Sequence, residues 1–178
     1  MHTHPTQPVE IIAPGLIQQS FTEAAVFGAA AWLWMHSSSH RGMPLQNLNN
    51  LLLPAIRHHQ FLLASVDGRA VFYMSWANFS AEAEQRYVLQ SPSLMHQDDW
   101  CSGDRMWILD WIAPFGHTQA MSQLIRQQLF AHRCARTLYH RGNQRGLRIK
   151  NFYGQAVTRE EAHVWFEAHP LLSGCSSL

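Results

Sequence analysis

The sequence contains only one lysine: twelve of its thirteen basic residues are arginines. Codon usage alone produces such a bias, so the bias by itself excludes no function. Arginine does suit interface ion pairs better than lysine, because its planar guanidinium forms well-defined hydrogen bonds with carboxylates. The shortage of lysine is therefore compatible with a protein interface and identifies no partner.

Acidic residues are missing from a long stretch of the chain. Residues 111–159 carry eight basic residues and no aspartate or glutamate, although the formal net charge of the whole chain is only +1. A patch of one sign attracts a partner of the opposite sign. This distribution indicates a negatively charged partner, and both nucleic acid and an acidic protein fit it.

Long hydrophobic runs are missing as well. The longest apolar run near the N-terminus covers residues 24–35 and follows no basic segment. It is far shorter than the roughly 20 residues of a membrane span. We therefore expect neither a transmembrane helix nor a signal peptide.

Cysteine and metal-ligand motifs are sparse. The three cysteines have neither the number nor the spacing of a disulfide framework or a zinc motif, and the twelve histidines form no HExxH pattern. No glycine-rich loop stands before a helix, as a pyrophosphate-binding cofactor would require. We predict no metal, no cofactor and a cytoplasmic location.

The amount of apolar sequence is enough for one core. With 178 residues and 47% hydrophobic content, the chain has the usual size of a single domain. The Pro- and Gln-rich residues 1–19 predict a loose leader, residues 20–170 an ordered domain, and residues 171–178 a tail.

Periodicity and turn signals predict alternating helices and strands. A hairpin is expected where Asp67-Gly68 joins strands at 60–66 and 69–77. The first predicted helix runs from a capping box at Ser20 to about Met35, and the second starts at Pro44 with a kink or stop near Pro54. Further helices are predicted at 79–90, at 117–139, where the helix is long and basic, and after a capping box at Thr158. Further strands are predicted at 105–113 and 146–153. This order predicts an α/β fold in which helices pack on one mixed sheet.

One carboxylate lies inside a strand that is otherwise apolar. Strict alternation puts Met106, Ile108, Asp110 and Ile112 on one face and Trp107, Leu109 and Trp111 on the other. A buried carboxylate is costly unless it is paired or hydrogen-bonded. Asp110 therefore needs a partner, and Arg105, another arginine or a distant histidine all qualify.

The segment MHSSSHRGMP at 35–44 follows the predicted first helix and offers such a histidine. A carboxylate that binds one imidazole nitrogen makes the other a general base near neutral pH, so a pairing of His40 with Asp110 would suit catalysis. His40 is also suited to bind the last carbonyl groups of the helix, and Ser37 to be a turn residue. The residues themselves leave these alternatives open.

Three segments resemble the RTX toxin-activating lysine acyltransferases, the hemolysin-activating type of enzyme. They are AWLWMHSSSHRGMP, LLLPAIRHHQFLLASVDGRAVFYMSWANFSAEAE and DDWCSGDRMWILDWIAPFG. The similarity is clear from 31 to 116 and continues weakly to about 169 through KNFYGQAVTREEAHVWFEAH. Family members usually have Pro and Trp where this chain has Ser38 and Met43, which bears on the donor chain length or the rate.

The resemblance implies a GNAT-like fold, a single domain with a mixed sheet flanked by helices. It implies an enzyme that moves a fatty acyl group from acyl-acyl carrier protein, a substrate and not a bound cofactor, to internal lysines of an RTX protoxin, and it suggests a homodimer. By position, it implies that His40 is the essential catalytic histidine, that Asp110 supports it and that Ser37 contributes.

The basic stretch fits an acidic carrier protein, since Coulomb attraction would guide the two together. The candidate contacts are Arg126, Arg133, Arg136, Arg141, Arg145 and Arg148. The alternative is a non-enzymatic, arginine-rich module that binds nucleic acid. That alternative explains the charge but leaves Asp110 and His40 without a role, so we expect no nucleic-acid partner.

A second alternative is a cysteine acyltransferase with Cys101 as its nucleophile and a histidine beside it. Three aspartates lie near Cys101 in the sequence and would raise the pKa of its thiol, which disfavours the reactive thiolate. We therefore expect the substitution Cys101→Ser to be harmless.

Overall fold

One sheet of six strands organises the part of the chain that the structure, a computed structural model, describes: residues 8–90, 95–139 and 148–171. The strands lie side by side in chain order, and all neighbours are antiparallel except β4 and β5, which are parallel. They are β1 (Val9–Ile12), β2 (Phe61–Val66), β3 (Arg69–Phe79), β4 (Arg105–Ile112), β5 (Cys134–Tyr139) and β6 (Arg148–Tyr153).

Five α-helices accompany the sheet within these described ranges: α1 (Glu23–His36), α2 (Leu53–Arg57), α3 (Ala81–Leu89), α4 (Thr118–Leu124) and α5 (Arg159–Ala168). A π-helical turn, Leu48–Leu52, leads into α2, and another, Ile125–Leu129, extends α4. None of the described helices is long and apolar enough to cross a bilayer. The mixed sheet with flanking helices confirms the predicted α/β class and agrees with a GNAT-like fold.

Helices cover both faces of the sheet. Tyr73 of β3 packs with Leu33 of α1, whereas its neighbour Met74 points the other way and packs with Met121 of α4. We call these two sides the α1 face and the α4 face. Buried side chains on both faces hold the sheet between its helices. The register that buries them also determines the face to which each polar side chain points.

The hairpin and the last helix follow the sequence signals. Asp67 and Gly68 have φ angles of 50° and 73°, as the type I′ turn of a two-residue hairpin requires. Thr158 and Glu161 form the predicted capping box at the start of α5. At the first helix the predicted box is wrong, because the N-cap is Thr22 and not Ser20.

Part of the predicted leader belongs to the sheet. Val9–Ile12 pair with β2 as the edge strand β1, and Ala13 is fully buried. The predicted start of the ordered domain at Ser20 is therefore too late, because the exposed backbone edge of β2 takes up a strand that composition alone does not mark. Residues 1–7 and the tail residues 172–178 lie outside the described ranges.

The long basic helix predicted at 117–139 is wrong in its second half. The helical segment ends at Leu129, and residues 134–139 form β5 between β4 and β6. Ala135 and Arg136 of this strand are buried. Pairing with a strand on each side outweighs the local helix propensity of this segment.

A β-bulge at Leu109 reverses the predicted alternation along β4. Ser75 of β3 lies opposite Asp110, but the next pair joins Trp76 to Ile108, so Leu109 has no counterpart on β3. Such an extra residue moves the side chains beyond it to the other face. Ile108 packs on the α4 face, whereas Asp110 reaches the α1 face. The expectation that both share one face is therefore wrong.

Candidate active site

His40 lies between two polar side chains on the α1 face. Its Nδ1 is 2.8 Å from the Ser37 hydroxyl oxygen, and its Nε2 is 3.4 Å from the Asp110 Oδ1. The side chains of His40 and Asp110 are each 12% exposed. The structure thus brings together the three residues that the sequence singles out, although 70 positions separate the histidine from the aspartate.

The end of α1 determines where the histidine stands. The backbone N–H of Ser37 binds the carbonyl of Trp34, and the N–H of His40 binds the carbonyl of Ser37. These tight turns place the hydroxyl of Ser37 against the imidazole three residues later. The buried ring of Trp34 packs against the imidazole, with 4.9 Å between ring centroids. His40 is therefore held by its own turn and by the last turn of the helix.

The carboxylate of Asp110 reaches His40 because the bulge turns it to the α1 face. Its Oδ2 accepts a hydrogen bond from the hydroxyl of Ser75, at 3.2 Å, while Oδ1 faces the imidazole. An ionised carboxylate only accepts, so the imidazole proton belongs on Nε2 and Nδ1 is left to accept from Ser37. The 3.4 Å contact is longer than most hydrogen bonds between nitrogen and oxygen.

Among the residues that the structure describes, no arginine pairs with Asp110. Arg105 instead donates to the carboxylate of Glu84, at 2.6 Å. Among the described residues, Asp110 forms an ion pair only with His40. The Asp110 carboxylate, which lies in an otherwise apolar strand, is thus stabilised by the imidazole of His40 and the hydroxyl of Ser75.

A family model and several curated proteins match this chain. The model of the RTX toxin acyltransferase family matches residues 19–153. The chain belongs to this family. Among its relatives, the leukotoxin-activating lysine-acyltransferase LtxC of Aggregatibacter actinomycetemcomitans is 38% identical over 145 residues, which cover 81% of this chain and 84% of LtxC.

Two further relatives show comparable similarity to this RTX toxin acyltransferase. The RTX-I toxin-activating lysine-acyltransferase ApxIC of Actinobacillus pleuropneumoniae is 38% identical over 81% of this chain and 83% of its own length. The protein-lysine myristoyltransferase RtxC of Kingella kingae is 36% identical over 80% of this chain and 84% of its own length. The chain is therefore an acyltransferase.

The arginines that sequence reasoning proposed as carrier contacts differ in their exposure. Arg126, Arg133 and Arg148 are exposed, whereas Arg141 and Arg145 lie outside the described residues. Arg136 is 3% exposed and donates to the carboxylate of Glu84 at 3.0 Å, so its assignment to a docking surface is wrong. Its position on β5, a strand that the sequence does not reveal, places it in the interior.

Cys101 does have a histidine beside it, since its sulfur lies 3.5 Å from Nδ1 of His58. Burial raises the pKa of the Cys101 thiol, so the protonated and less nucleophilic form is favoured. The predicted direction is confirmed, although the cause is burial and not the nearby aspartates. No group of three metal-ligating side chains occurs among the described residues.

A groove of about 650 Å³ lies elsewhere, against the α4 face, with Met106, His132 and Trp165 in its walls. Ser37, His40 and Asp110 do not line it.

Sequence reasoning also missed Ser75 and Glu84. The signal for Ser75 was a lone serine in the largely apolar run VFYMSWANF. Glu84 gave no signal, because it reads as one of several charges on a surface helix.

Proposed function

We propose that this acyltransferase moves a fatty acyl group from acyl-acyl carrier protein to internal lysines of an RTX protoxin, in the cytoplasm, and so activates the toxin. The observation that carries the proposal is the placement of His40 between the Ser37 hydroxyl and the Asp110 carboxylate. The names of the relatives, toxin-activating lysine-acyltransferase and protein-lysine myristoyltransferase, support the acceptor and the type of acyl group.

The reaction needs a proton acceptor, because the nitrogen of a neutral lysine amine must give up a proton as it becomes an amide nitrogen. In the proposed mechanism the neutral amine attacks the thioester carbonyl, the new C–N bond forms, and the proton released passes to Nδ1 of His40. Asp110 stabilises the imidazolium through Nε2. Collapse of the tetrahedral intermediate breaks the C–S bond, and His40 returns the proton to the carrier thiolate.

Ser37 stands at the nitrogen that acts as the base in this mechanism. Its hydroxyl is 2.8 Å from Nδ1, so the incoming amine either displaces it or passes its proton through it. After displacement the hydroxyl can donate to the carbonyl oxygen, where negative charge develops. In both cases Ser37 touches the reacting groups, which supports its assignment to the catalytic machinery.

Exposed apolar side chains close to His40 in the sequence support a fatty acyl substrate. Among the described residues, four of the large hydrophobic side chains that remain exposed fall in residues 32–45, which contain His40: Trp32, Met35, Met43 and Leu45, the last 80% exposed. Exposed apolar groups that cluster at a site indicate a ligand or partner with an apolar surface. Met43 is also the position at which this chain differs from the usual family tryptophan.

The exposed arginines support an acidic carrier as the donor. Gln155 N–H binds the carbonyl of Arg126, and Gly154 N–H binds the carbonyl of Arg133, so both arginines flank the end of β6. The guanidinium of Arg126 lies 5.7 Å from the Tyr153 ring. Arg148 is on the same strand. A nucleic-acid module would use this charge too, but it would give Ser37, His40 and Asp110 no task.

Mass spectrometry of a co-expressed protoxin tests the proposal. The chain is expressed with an RTX protoxin and the toxin is searched for fatty acyl masses on lysines. We expect acylation with the native chain and its loss with His40→Ala. The matched control is His58→Ala, because His58 lies beside Cys101 and does not touch Asp110. Near-normal acylation by His40→Ala would exclude the mechanism.

A further inference from the structure

The hydroxyl of Ser75 holds the carboxylate that faces the proposed base. Ser75 is fully buried, lies directly opposite Asp110 in the β3–β4 ladder, and donates to its Oδ2 at 3.2 Å. A serine is an unusual choice here, because the residues before and after it on the same face, Tyr73 and Ala77, belong to the apolar core. A buried hydroxyl without a partner would be a cost, so its partner is informative.

The two oxygens of Asp110 have separate tasks. Oδ1 faces Nε2 of His40 and Oδ2 faces the hydroxyl of Ser75. A carboxylate rotates about the bond to its methylene group, so a donor on one oxygen fixes the direction of the other. Partners of this kind, one step behind the reacting groups, are known to set orientation and basicity in other sites.

Two other candidate donors among the described residues do not bind the Asp110 carboxylate. Tyr73 is fully buried on the same face, but its hydroxyl has no hydrogen-bond partner among the described residues. Arg105, the closest arginine in sequence, is bound to Glu84. The bulge at Leu109 sets the register in which Ser75 and Asp110 are opposite each other. Within the described ranges, the hydroxyl of Ser75 is thus the side-chain donor to Oδ2 of Asp110.

We propose that Ser75 is a positioning residue: through Asp110 it keeps the His40 imidazole in the tautomer with its proton on Nε2. The expected effect of Ser75 on the rate rests on the proposed function. Its effect on the His40 tautomer is independent of that function. Ser75 does not touch the reacting groups in this scheme. Its loss should therefore lower kcat and leave the binding of donor and acceptor unchanged.

The test compares Ser75→Ala with Ser75→Thr. In Ser75→Ala we expect kcat for lysine acylation to fall by about 10- to 100-fold, by analogy with supporting partners of metal-bound histidines, with KM changed less than about twofold. Nitrogen-15 NMR of His40, assigned with His40→Gln, should show a mixture of tautomers in place of the Nε2–H form. Ser75→Thr retains the donor and should restore both readouts.

Controls separate positioning from folding. Ile108→Val removes one buried methylene on the α4 face of β4, close to the bulge, and should change neither kcat nor the tautomer. Thermal unfolding is recorded for each variant. If the extra methyl of threonine disturbs the fully buried site and unfolds the chain, Ser75→Cys replaces it and should give an intermediate effect through its weak donor.

Two outcomes decide between the inference and the proposed function. If the native chain acylates lysines and Ser75→Ala keeps the native kcat and tautomer, the inference is overturned while the function stands. If the native chain transfers no acyl group but Ser75→Ala still mixes the tautomers, the function fails and the positioning role stands. A threonine variant that folds but behaves like alanine would also overturn the inference, because the hydroxyl would then be irrelevant.

Discussion

Arg136 donates a hydrogen bond to Glu84 at 3.0 Å, and the two side chains are only 3% and 4% exposed. Glu84 also accepts from Arg105 and from the indole of Trp107, so one carboxylate of α3 ties together β4 and β5. The second terminal nitrogen of the Arg136 guanidinium, Nη2, donates to the carbonyl of His169, just beyond α5. Together these bonds join α3, β4, β5 and the end of α5, which the sequence does not link.

The first prediction concerns the stability that this pair provides. Replacing Glu84 with Gln leaves a buried guanidinium without its carboxylate, which should lower the free energy of unfolding by about 3 kcal/mol. Urea denaturation followed by circular dichroism measures it. Glu82→Gln on the exposed side of the same helix is the control and should change little. Equal stability of the two variants would contradict a structural role for Glu84.

The second prediction concerns the carboxylate of the site. Asp110→Asn keeps the size of the side chain but presents an amide to His40, which permits the wrong tautomer and cannot stabilise the imidazolium. We expect kcat for lysine acylation to fall by roughly 10²- to 10⁴-fold, as in related triads. The exposed Asp98→Asn is the control. A variant that kept more than a third of the native kcat would show that Asp110 has no catalytic function.

The third prediction concerns Tyr73, whose buried hydroxyl has no partner among the described residues. Tyr73→Phe should raise the free energy of unfolding at neutral pH by about 1 kcal/mol, because an unpaired buried hydroxyl is costly. Urea denaturation at pH 7 checks the sign. A clear loss of stability would show that the hydroxyl has a partner, such as a buried water molecule.

The same substitution also has a pH signature. Burial, and then the charge of Asp110, raise the pKa of Tyr73 well above 10.0. A raised folded-state pKa contributes stability that is complete below the unfolded value and is lost as the pH rises through the folded value. Native stability should therefore fall in strong alkali more steeply than that of Tyr73→Phe. Tyr87, whose pKa burial also raises, remains in both proteins and gives the background.

The fourth prediction concerns the exposed arginines. Reversing Arg126, Arg133 and Arg148 together to Glu should raise KM for the acylated carrier protein, most strongly at low salt, and leave kcat at saturation unchanged. Arg57→Glu is the control, because this exposed residue lies on α2. A lower kcat with an unchanged KM would remove these arginines from the carrier surface.

The fifth prediction concerns Leu45, one of the four exposed apolar side chains in residues 32–45. Leu45 is 80% exposed, so Leu45→Asp should fold normally but raise KM for a long-chain acyl donor more than for a short-chain donor. Val164→Asp is the matched control: this side chain is 65% exposed and lies on α5. If both variants treated long and short donors as the native chain does, Leu45 would have no contact with the acyl chain.

The sequence by itself determined the local features. Asp67-Gly68 set the hairpin because both positions need a positive φ, and Thr158 set the start of α5 because its side chain satisfies a free N–H. It also showed that Asp110 needed a partner, since an apolar strand cannot hold an unpaired carboxylate. The family resemblance indicated which histidine to consider. These conclusions depend on a few neighbouring residues.

Only the tertiary structure decided what depends on distant contacts. The bulge at Leu109 arises from pairing with β3 and sends Asp110 to the face of His40, where strict alternation would have sent it to the opposite side. The strand at 134–139 exists because β4 and β6 flank it, and that position buries Arg136 against Glu84. Register and burial are properties of the assembled sheet, and no local pattern encodes them.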